Sequence, residues 1–124
     1  MVVPAEIRAQ LAEHARAEAP NEACGLIALR DGRAEHYLPG RNVLESPYRF
    51  QLDPGSPADF FLEDDGYELA VFHSHPETEA RPSRTDIANI GLWEGRPYVI
   101  LSLARDELRA WRIEGGAATE QPLD

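Results

Sequence analysis

The sequence predicts a single α+β domain in which a mixed, mostly antiparallel sheet lies between helices as three αβα layers. The chain has 124 residues, a length that suits one domain. Its hydrophobic patterns run in the order α-β-β-β-β-α-β-β, and such consecutive strands disfavour a doubly wound parallel sheet. The hydrophobic content of 43% is enough for a core that needs no disulfide.

The first element is predicted to be an amphipathic helix. Between Pro4 and Ala19 the apolar residues Ile7, Leu11 and Ala15 recur at i, i+4 and i+8. Proline is favoured in the first turn of a helix. The helix is therefore expected to begin at Pro4 and to bury this apolar stripe.

Two strand pairs are predicted from apolar runs separated by turn residues. Residues 24–30 and 34–40 flank an Asp-Gly turn, which is typical of a hairpin. Residues 97–104 and 107–114, joined by Arg-Asp, form a closing pair. These pairs place antiparallel neighbours at both ends of the chain.

The middle of the chain is predicted to contain a half-buried strand. Tyr48, Phe50 and Leu52 alternate with polar residues, and an Asp-Pro pair ends the pattern. Residues 55–68 are expected to form a loop or a short helix.

A buried strand over residues 68–72 is expected to present His73 and His75 at its carboxyl end, where a proline stops it. The segment SRTDIANIGLW then predicts a second helix, with Ser83 at the N-cap and Asp86 three residues later. Chemistry is therefore expected where this strand ends and this helix begins.

Composition excludes several classes of function. With 12 basic and 22 acidic residues the net charge is −10, which disfavours nucleic acid and membranes as partners. All the basic residues are Arg, so no lysine can act as a Schiff base. The single cysteine, Cys24, and the lack of a secretory or membrane-spanning pattern favour the cytoplasm. The domain is expected to span residues 1–114, with residues 115–124 as a flexible acidic tail.

The spacing of two histidines and an aspartate indicates a metal site. Residues i and i+2 of a strand share one face, so His73 and His75 can bind one ion. Asp86 can reach the same point from the first turn of the second helix. Two imidazoles and one carboxylate are typical of catalytic zinc sites, which leave a fourth position for water. One zinc ion per chain would support amide hydrolysis.

Amide hydrolysis also needs a base and a donor to the oxyanion. Glu22 precedes an apolar strand, where burial would raise its pKa, and Ser83 offers a hydroxyl near Asp86. Helix capping alone is an alternative for Ser83 and Asp86, and it competes for the same carboxylate.

The whole pattern resembles the JAMM motif of the MPN family of zinc metallopeptidases. The resemblance is carried by the strings EACGL (22–26) and HSHP (73–76), followed by Ser83 and Asp86 at the spacing of the motif. It extends roughly over residues 5–114. The implied fold is MPN-like, a cytidine-deaminase-like αβα arrangement.

The resemblance also implies a role for each residue of the motif. His73, His75 and Asp86 would bind zinc, Glu22 would be the general acid/base, and Ser83 would support the oxyanion and the bound water. These roles agree with those inferred from the residues themselves.

Members of this family cleave peptide or isopeptide bonds after the C-terminal tail of ubiquitin or ubiquitin-like proteins. Small prokaryotic members are associated with sulfur carriers that end in Gly-Gly, and the resemblance implies such a carrier as the partner here. Residues 51–70 and 91–97 are too short for the insertions of the larger deubiquitinating members. The leaving group (cysteine, a lysine isopeptide or a precursor peptide) and the choice between monomer and homodimer stay open.

Three alternatives compete with a zinc peptidase. Cys24 paired with a histidine would form a thiol nucleophile, although it lies in an apolar run. The spacing of His73, His75 and Glu79 resembles the first metal motif of cupin Fe(II) enzymes, but no further histidine follows His75. An MPN scaffold without metal that only binds partners is the third, and the intact ligand set disfavours it.

Overall fold

The computed structural model describes the backbone of residues 1–124 and every side chain except those of Pro57 and Phe60. Its α-helices are α1 (Ala5–Glu18) and α2 (Arg84–Ala88), and 3₁₀ helices cover Pro57–Asp65 and Gly91–Trp93. The strands are β1 (Cys24–Arg30), β2 (Arg33–Asn42), β3 (Leu52–Pro54), β4 (Glu68–His75), β5 (Pro97–Ser102), β6 (Glu107–Glu114) and β7 (Ala117–Gln121). None of the helices in this described chain is both long and apolar enough to cross a membrane.

The seven strands form one mixed sheet in the order β3-β2-β1-β4-β5-β6-β7. Strands β4 and β5 are parallel and are connected through α2, whereas every other pair of neighbours is antiparallel. Strand β4 therefore has an antiparallel neighbour, β1, on one side and a parallel neighbour, β5, on the other.

Helices cover both faces of the sheet, as the αβα prediction requires. On one face, α1 packs Ile7, Leu11 and Ala15 against the central strands. On the other face, Ile87 of α2 and Trp93 pack against a second cluster of strand residues. Because both faces are covered, the central strands β1, β4 and β5 are buried along almost their whole length. The predicted fold class is confirmed.

The predicted hairpin between β1 and β2 is also present. Asp31 and Gly32 form its turn with φ values of 52° and 77°. Two successive positive φ values give a turn whose twist matches that of the flanking strands. The Asp-Gly pair thus sets the register of β1 against β2.

The predicted strand over Tyr48, Phe50 and Leu52 is wrong for most of its length. Regular pairing is limited to β3, and Tyr48 is 78% exposed in the preceding loop. The backbone N–H of Gln51 donates to the Asn42 side chain, and Asn42 donates to the carbonyl of Arg49. These side-chain bonds hold the segment as a loop.

The second helix is shorter than predicted. α2 ends at Ala88, and the chain then forms a 3₁₀ helix at Gly91–Trp93. Gly91 has a φ of 50°, which does not belong to an α-helix. The predicted N-cap at Ser83 is confirmed.

The predicted flexible tail contains a strand. The turn at Gly115 and Gly116 has φ values of 57° and 79° and returns the chain along the outer edge of β6, where β7 pairs with it. Farther on, Asp124 N–H donates to Met1 O at 2.9 Å. The acidic composition of this segment did not predict a strand. The strand is held by backbone groups at the edge of the sheet rather than by apolar side chains.

Candidate active site

Strand β4 presents two histidines on one side of the sheet at its carboxyl end. His73 and His75 are two residues apart, so their side chains project from the same face. Both are buried, and their Nε2 atoms lie 2.9 Å apart. The two nitrogens are close enough to bind one ion.

Asp86 reaches the same point from the first turn of α2. Its Oδ2 lies 3.1 Å from His75 Nε2 and 3.3 Å from His73 Nε2. Ser83 N–H donates to the same oxygen at 2.9 Å, and Asp86 N–H donates to Ser83 Oγ at 3.0 Å. Asp86 can therefore take part in the cap of α2 and approach the histidines through the same oxygen, because a carboxylate oxygen has two lone pairs.

Glu22 approaches the histidines from the neighbouring strand. The antiparallel pairing of β1 with β4 places Cys24 opposite His73. One residue farther, Ser74 N–H donates to Ala23 O at 3.0 Å, and Ala23 N–H donates to Ser74 Oγ at 2.8 Å. This register brings Glu22 Oε1 to 4.0 Å from His73 Nε2.

The spacing of these atoms fits a zinc ion. Ligand atoms at about 2.0–2.1 Å from a tetrahedral zinc lie about 3.3 Å from one another. The separations among the two Nε2 atoms and Asp86 Oδ2 are 2.9, 3.1 and 3.3 Å. Glu22, His73 and His75 also offer one ligand atom each within 4.8 Å of one another. The longer distance of Glu22 is the spacing expected of a group just beyond the ligands.

Hydrogen bonds among protein groups do not explain the cluster. His75 Nδ1–H donates to the Glu79 carbonyl at 2.8 Å, and the tautomer that makes this bond carries a lone pair on Nε2. A proton on His73 Nε2 can point to one acceptor only, although His75 Nε2 and Asp86 Oδ2 both lie close. A cation would satisfy the imidazole lone pairs and the carboxylate together.

Neighbouring groups fix the orientation of both rings. Phe50 stacks on His73 with ring centroids 4.5 Å apart and planes 21° from parallel, and Tyr98 contacts the same ring edge-on. The Glu79 carbonyl holds His75 through Nδ1. The carbonyl fixes both the tautomer and the orientation of His75, and the aromatic contacts fix the plane of the His73 ring.

The site combines a neutral imidazole, an ionised carboxylate and a protonated carboxyl. Burial lowers the pKa of His73 and outweighs the attraction of Asp86. Burial alone would raise the pKa of Asp86, but His73 and the hydrogen bond from the Ser83 amide hold it well below its usual range. Burial, with a smaller contribution from Asp86, raises the pKa of Glu22 to about 9.

A cavity of about 400 Å³ opens onto this cluster. Glu22, His75 and Ser83 line it on the side of the histidines. Its other walls include Pro47 and the exposed Tyr48. A substrate in the cavity can therefore contact these polar groups.

The structure thus brings together all five residues that the sequence selected, and it makes neither competing group a metal ligand or a nucleophile. The side chain of Glu79 pairs with Arg105 at 3.8 Å, so the cupin-like spacing does not yield a third ligand. Cys24 is fully buried, and burial, with a smaller contribution from Glu22, raises the pKa of its thiol to about 12. A thiol of that kind is a poor nucleophile.

This pKa predicts that Cys24 resists labelling in the folded protein. At pH 8 a pKa of about 12 leaves roughly 10³-fold less thiolate than an ordinary cysteine has. We expect the native protein to react with Ellman's reagent far more slowly than the protein unfolded in urea. Equal rates in the two states would contradict the buried, protonated thiol.

Three groups that shape the site have no clear signal in the sequence. Phe50 was expected only to be half-buried, and its stacking on His73 depends on the loop conformation. The bond from His75 to Glu79 involves a backbone carbonyl, which has no sequence signal. Asn42, which is buried at the end of β2 beside Glu22, had no pattern to mark it.

Comparison with known proteins identifies the family. The family described as prokaryotic homologs of the JAB domain matches residues 4–114. The chain belongs to this family. It is 37% identical over 132 residues to the CysO-cysteine peptidase of Mycobacterium tuberculosis, covering 100% of this chain and 90% of that protein. It is 34% identical over 110 residues to the desampylase of Haloferax volcanii, covering 79% of this chain and 77% of the relative.

Solved structures show the same fold. A solution structure of a protein from Desulfitobacterium hafniense matches with a TM-score of 0.81 and 27% identity, over 99% of this chain and 90% of the other. A crystal structure of a JAB1/MPN domain protein from Archaeoglobus fulgidus matches with a TM-score of 0.65 and 16% identity, over 100% and 97% of the chains. The predicted JAMM/MPN family and the enzyme class, a metallopeptidase of the JAMM type, are confirmed.

Proposed function

We propose that this chain is a zinc peptidase that hydrolyses the amide bond after the Gly-Gly tail of a ubiquitin-like or sulfur-carrier protein. His73, His75 and Asp86 hold the zinc, Glu22 transfers the proton and Ser83 donates to the oxyanion. The convergence of two Nε2 atoms and Asp86 Oδ2 beside the buried carboxyl of Glu22 carries the proposal. Cys24 is a free thiol, which agrees with action in the cytoplasm.

Zinc, when bound, would polarise the scissile carbonyl and make a water molecule more acidic. The protein groups supply the rest of the chemistry. Glu22 has a pKa of about 9 in its buried environment, and a divalent cation nearby would lower that pKa toward neutrality. A carboxyl in that range can accept a proton from water and return it to the leaving amine.

Ser83 can serve the reaction without leaving its cap. Its Oγ accepts the hydrogen bond from Asp86 N–H, so its own O–H proton is free to be donated. Ser83 also lines the cavity beside Glu22. A hydroxyl there can stabilise the negative charge that develops on the carbonyl oxygen.

The proposed substrate rests on the relatives and on the shape of the cavity. One relative is named for CysO-cysteine, and another, from Thermus thermophilus, is named as a probable TtuB-protein conjugate cleaving protease. Pro20, Pro47, Pro76 and Tyr48 line the cavity. Rigid rings of this kind favour a slim, extended tail without side chains, which is what Gly-Gly provides.

The proposal is tested by intact-mass analysis of a sulfur carrier that ends in Gly-Gly and is extended by cysteine or by a short peptide. After incubation with the zinc-loaded protein we expect loss of the extension and a product that ends at the second glycine. A carrier with Ala-Ala in place of Gly-Gly should remain intact. Intact Gly-Gly carriers in the presence of protein with one zinc per chain would contradict the proposed substrate.

Ser83→Ala tests the oxyanion role. We expect kcat to fall by roughly 10² to 10³, the loss typical of a missing oxyanion donor. Stability should fall by only about 1 kcal/mol, since an N-cap is lost. Ser83→Thr keeps both the cap and the hydroxyl and should retain most of the activity. A lower melting temperature with unchanged kcat would make Ser83 a cap alone.

A further inference from the structure

Asn42, at the end of β2, uses its whole amide to hold other parts of the chain. Its Nδ2 donates to Glu22 O at 3.1 Å and to Arg49 O at 3.0 Å. Its Oδ1 accepts from Leu44 N–H and from Gln51 N–H, both at 3.1 Å. The residue is only 8% exposed, and its bond to Glu22 O is buried. A buried amide with every donor and acceptor paired fixes the groups around it.

The segment that Asn42 organises, residues 43–51, is called here the site loop. It holds Glu22 through a second bond, because Glu22 N–H donates to Ser46 O at 2.8 Å. Both backbone polar groups of Glu22 are therefore tied, one to Asn42 and the other to the site loop. Glu22 precedes β1 and lies outside regular secondary structure, so these ties take the place of a strand ladder.

The site loop also contacts the histidines and the cavity. Phe50 stacks on His73, and Pro47 and Tyr48 line the cavity together with Glu22. The side-chain amide of Asn42 thus holds both the backbone of Glu22, the proposed general base, and the site loop, which lines the substrate cavity.

We propose that Asn42 is a positioning residue that locks the Glu22 backbone and the site loop into one arrangement. This inference rests on the proposed function in one respect, since it takes Glu22 to be the group that transfers the proton. A misplacement of about 1 Å can cost roughly 10² in rate even when the substituted residue does not touch the substrate. Asn42 makes none of its four bonds to the three proposed zinc ligands, so we expect its variants to retain zinc.

Two variants separate the functions of the amide. Asn42→Asp keeps the shape and the acceptor oxygen for Leu44 and Gln51, but it loses both donations, including the one to Glu22 O. Asn42→Ala loses all four bonds. Leu38→Ala is the control, because Leu38 is a partly buried residue of the same strand that packs on the cluster of Leu26, Ala28 and Leu69.

We expect kcat to fall about 10²-fold in both Asn42 variants at a temperature well below their melting points, with one zinc per chain retained. Leu38→Ala should lose stability but keep its kcat within a few fold. Amide hydrogen exchange provides a readout that needs no substrate. Exchange at Glu22 should accelerate in both variants, and exchange at Gln51 should accelerate more in Asn42→Ala.

Each adverse outcome is distinct. An unchanged kcat with unchanged exchange at Glu22 would overturn the positioning role. Loss of zinc together with activity would also overturn it, because Asn42 would then act on the metal centre. If the wild-type protein cleaves no sulfur carrier, the proposed substrate is wrong. Amide hydrogen exchange at Glu22 then decides by itself whether Asn42 holds the Glu22 backbone.

Discussion

His75→Ala should yield a folded protein that has lost both its zinc and its turnover. The His75 Nε2 atom lies within 3.1 Å of both other proposed ligand atoms, so its removal leaves two ligands for the ion. Even the loss of an outer partner of a zinc ligand costs about 10- to 100-fold in metal affinity or activity. For a ligand itself we expect a loss of at least about 100-fold in both.

The measurement is zinc content by mass spectrometry after dialysis, together with turnover and circular dichroism. His36→Ala is the matched control, because His36 is an exposed histidine that contacts Tyr67 rather than the site. This control should keep its zinc and its rate. One zinc per chain retained by His75→Ala would remove His75 from the metal centre.

Glu22→Gln should retain zinc and lose turnover. The substitution preserves the shape of the side chain but removes the exchangeable proton of a carboxyl whose pKa burial raises to about 9. General acid–base groups contribute about 10² to 10⁴ in rate, so kcat should fall by that factor. Glu22→Ala should behave in the same way.

The stability of the Glu22 variants should not fall. Glu22 Oε1 is one of two buried side-chain atoms in the described part of the structure that lack a hydrogen-bond partner, so the wild-type carboxyl is costly to bury. Glu77→Gln, a change at an exposed carboxyl on the cavity wall, should leave kcat within a few fold. A normal rate in Glu22→Gln would show that another group moves the proton, and loss of zinc would make Glu22 a ligand.

The parts of the site that are local in sequence could be predicted without the structure. The face shared by His73 and His75 follows from strand geometry, and the pairing of Ser83 with Asp86 follows from helix capping. Glu22 is far from the histidines in sequence, and its approach depends on the register of β1 against β4. The chemistry made Glu22 a candidate base, and the resemblance to the JAMM motif supported its place beside the histidines.

The remaining features depend on contacts that have no local pattern. Asn42 acts because four backbone groups from separate segments meet at its amide. Strand β7 exists because β6 has a free edge and not because its own residues are apolar. Tyr48 was expected to be half-buried but faces the cavity, since side-chain bonds of Asn42 turned a predicted strand into a loop.

The metal centre itself is tested most directly by an anomalous difference map, recorded at the zinc edge from crystals of the zinc-loaded protein. We predict one peak per chain, within bonding distance of His73 Nε2, His75 Nε2 and a carboxylate oxygen of Asp86, with Glu22 farther away. A peak bonded to Glu22 in place of Asp86 would reverse the two proposed roles, because Glu22 would then be the ligand and Asp86 the candidate base. A zinc-loaded crystal with no peak between the two histidines would contradict the centre altogether.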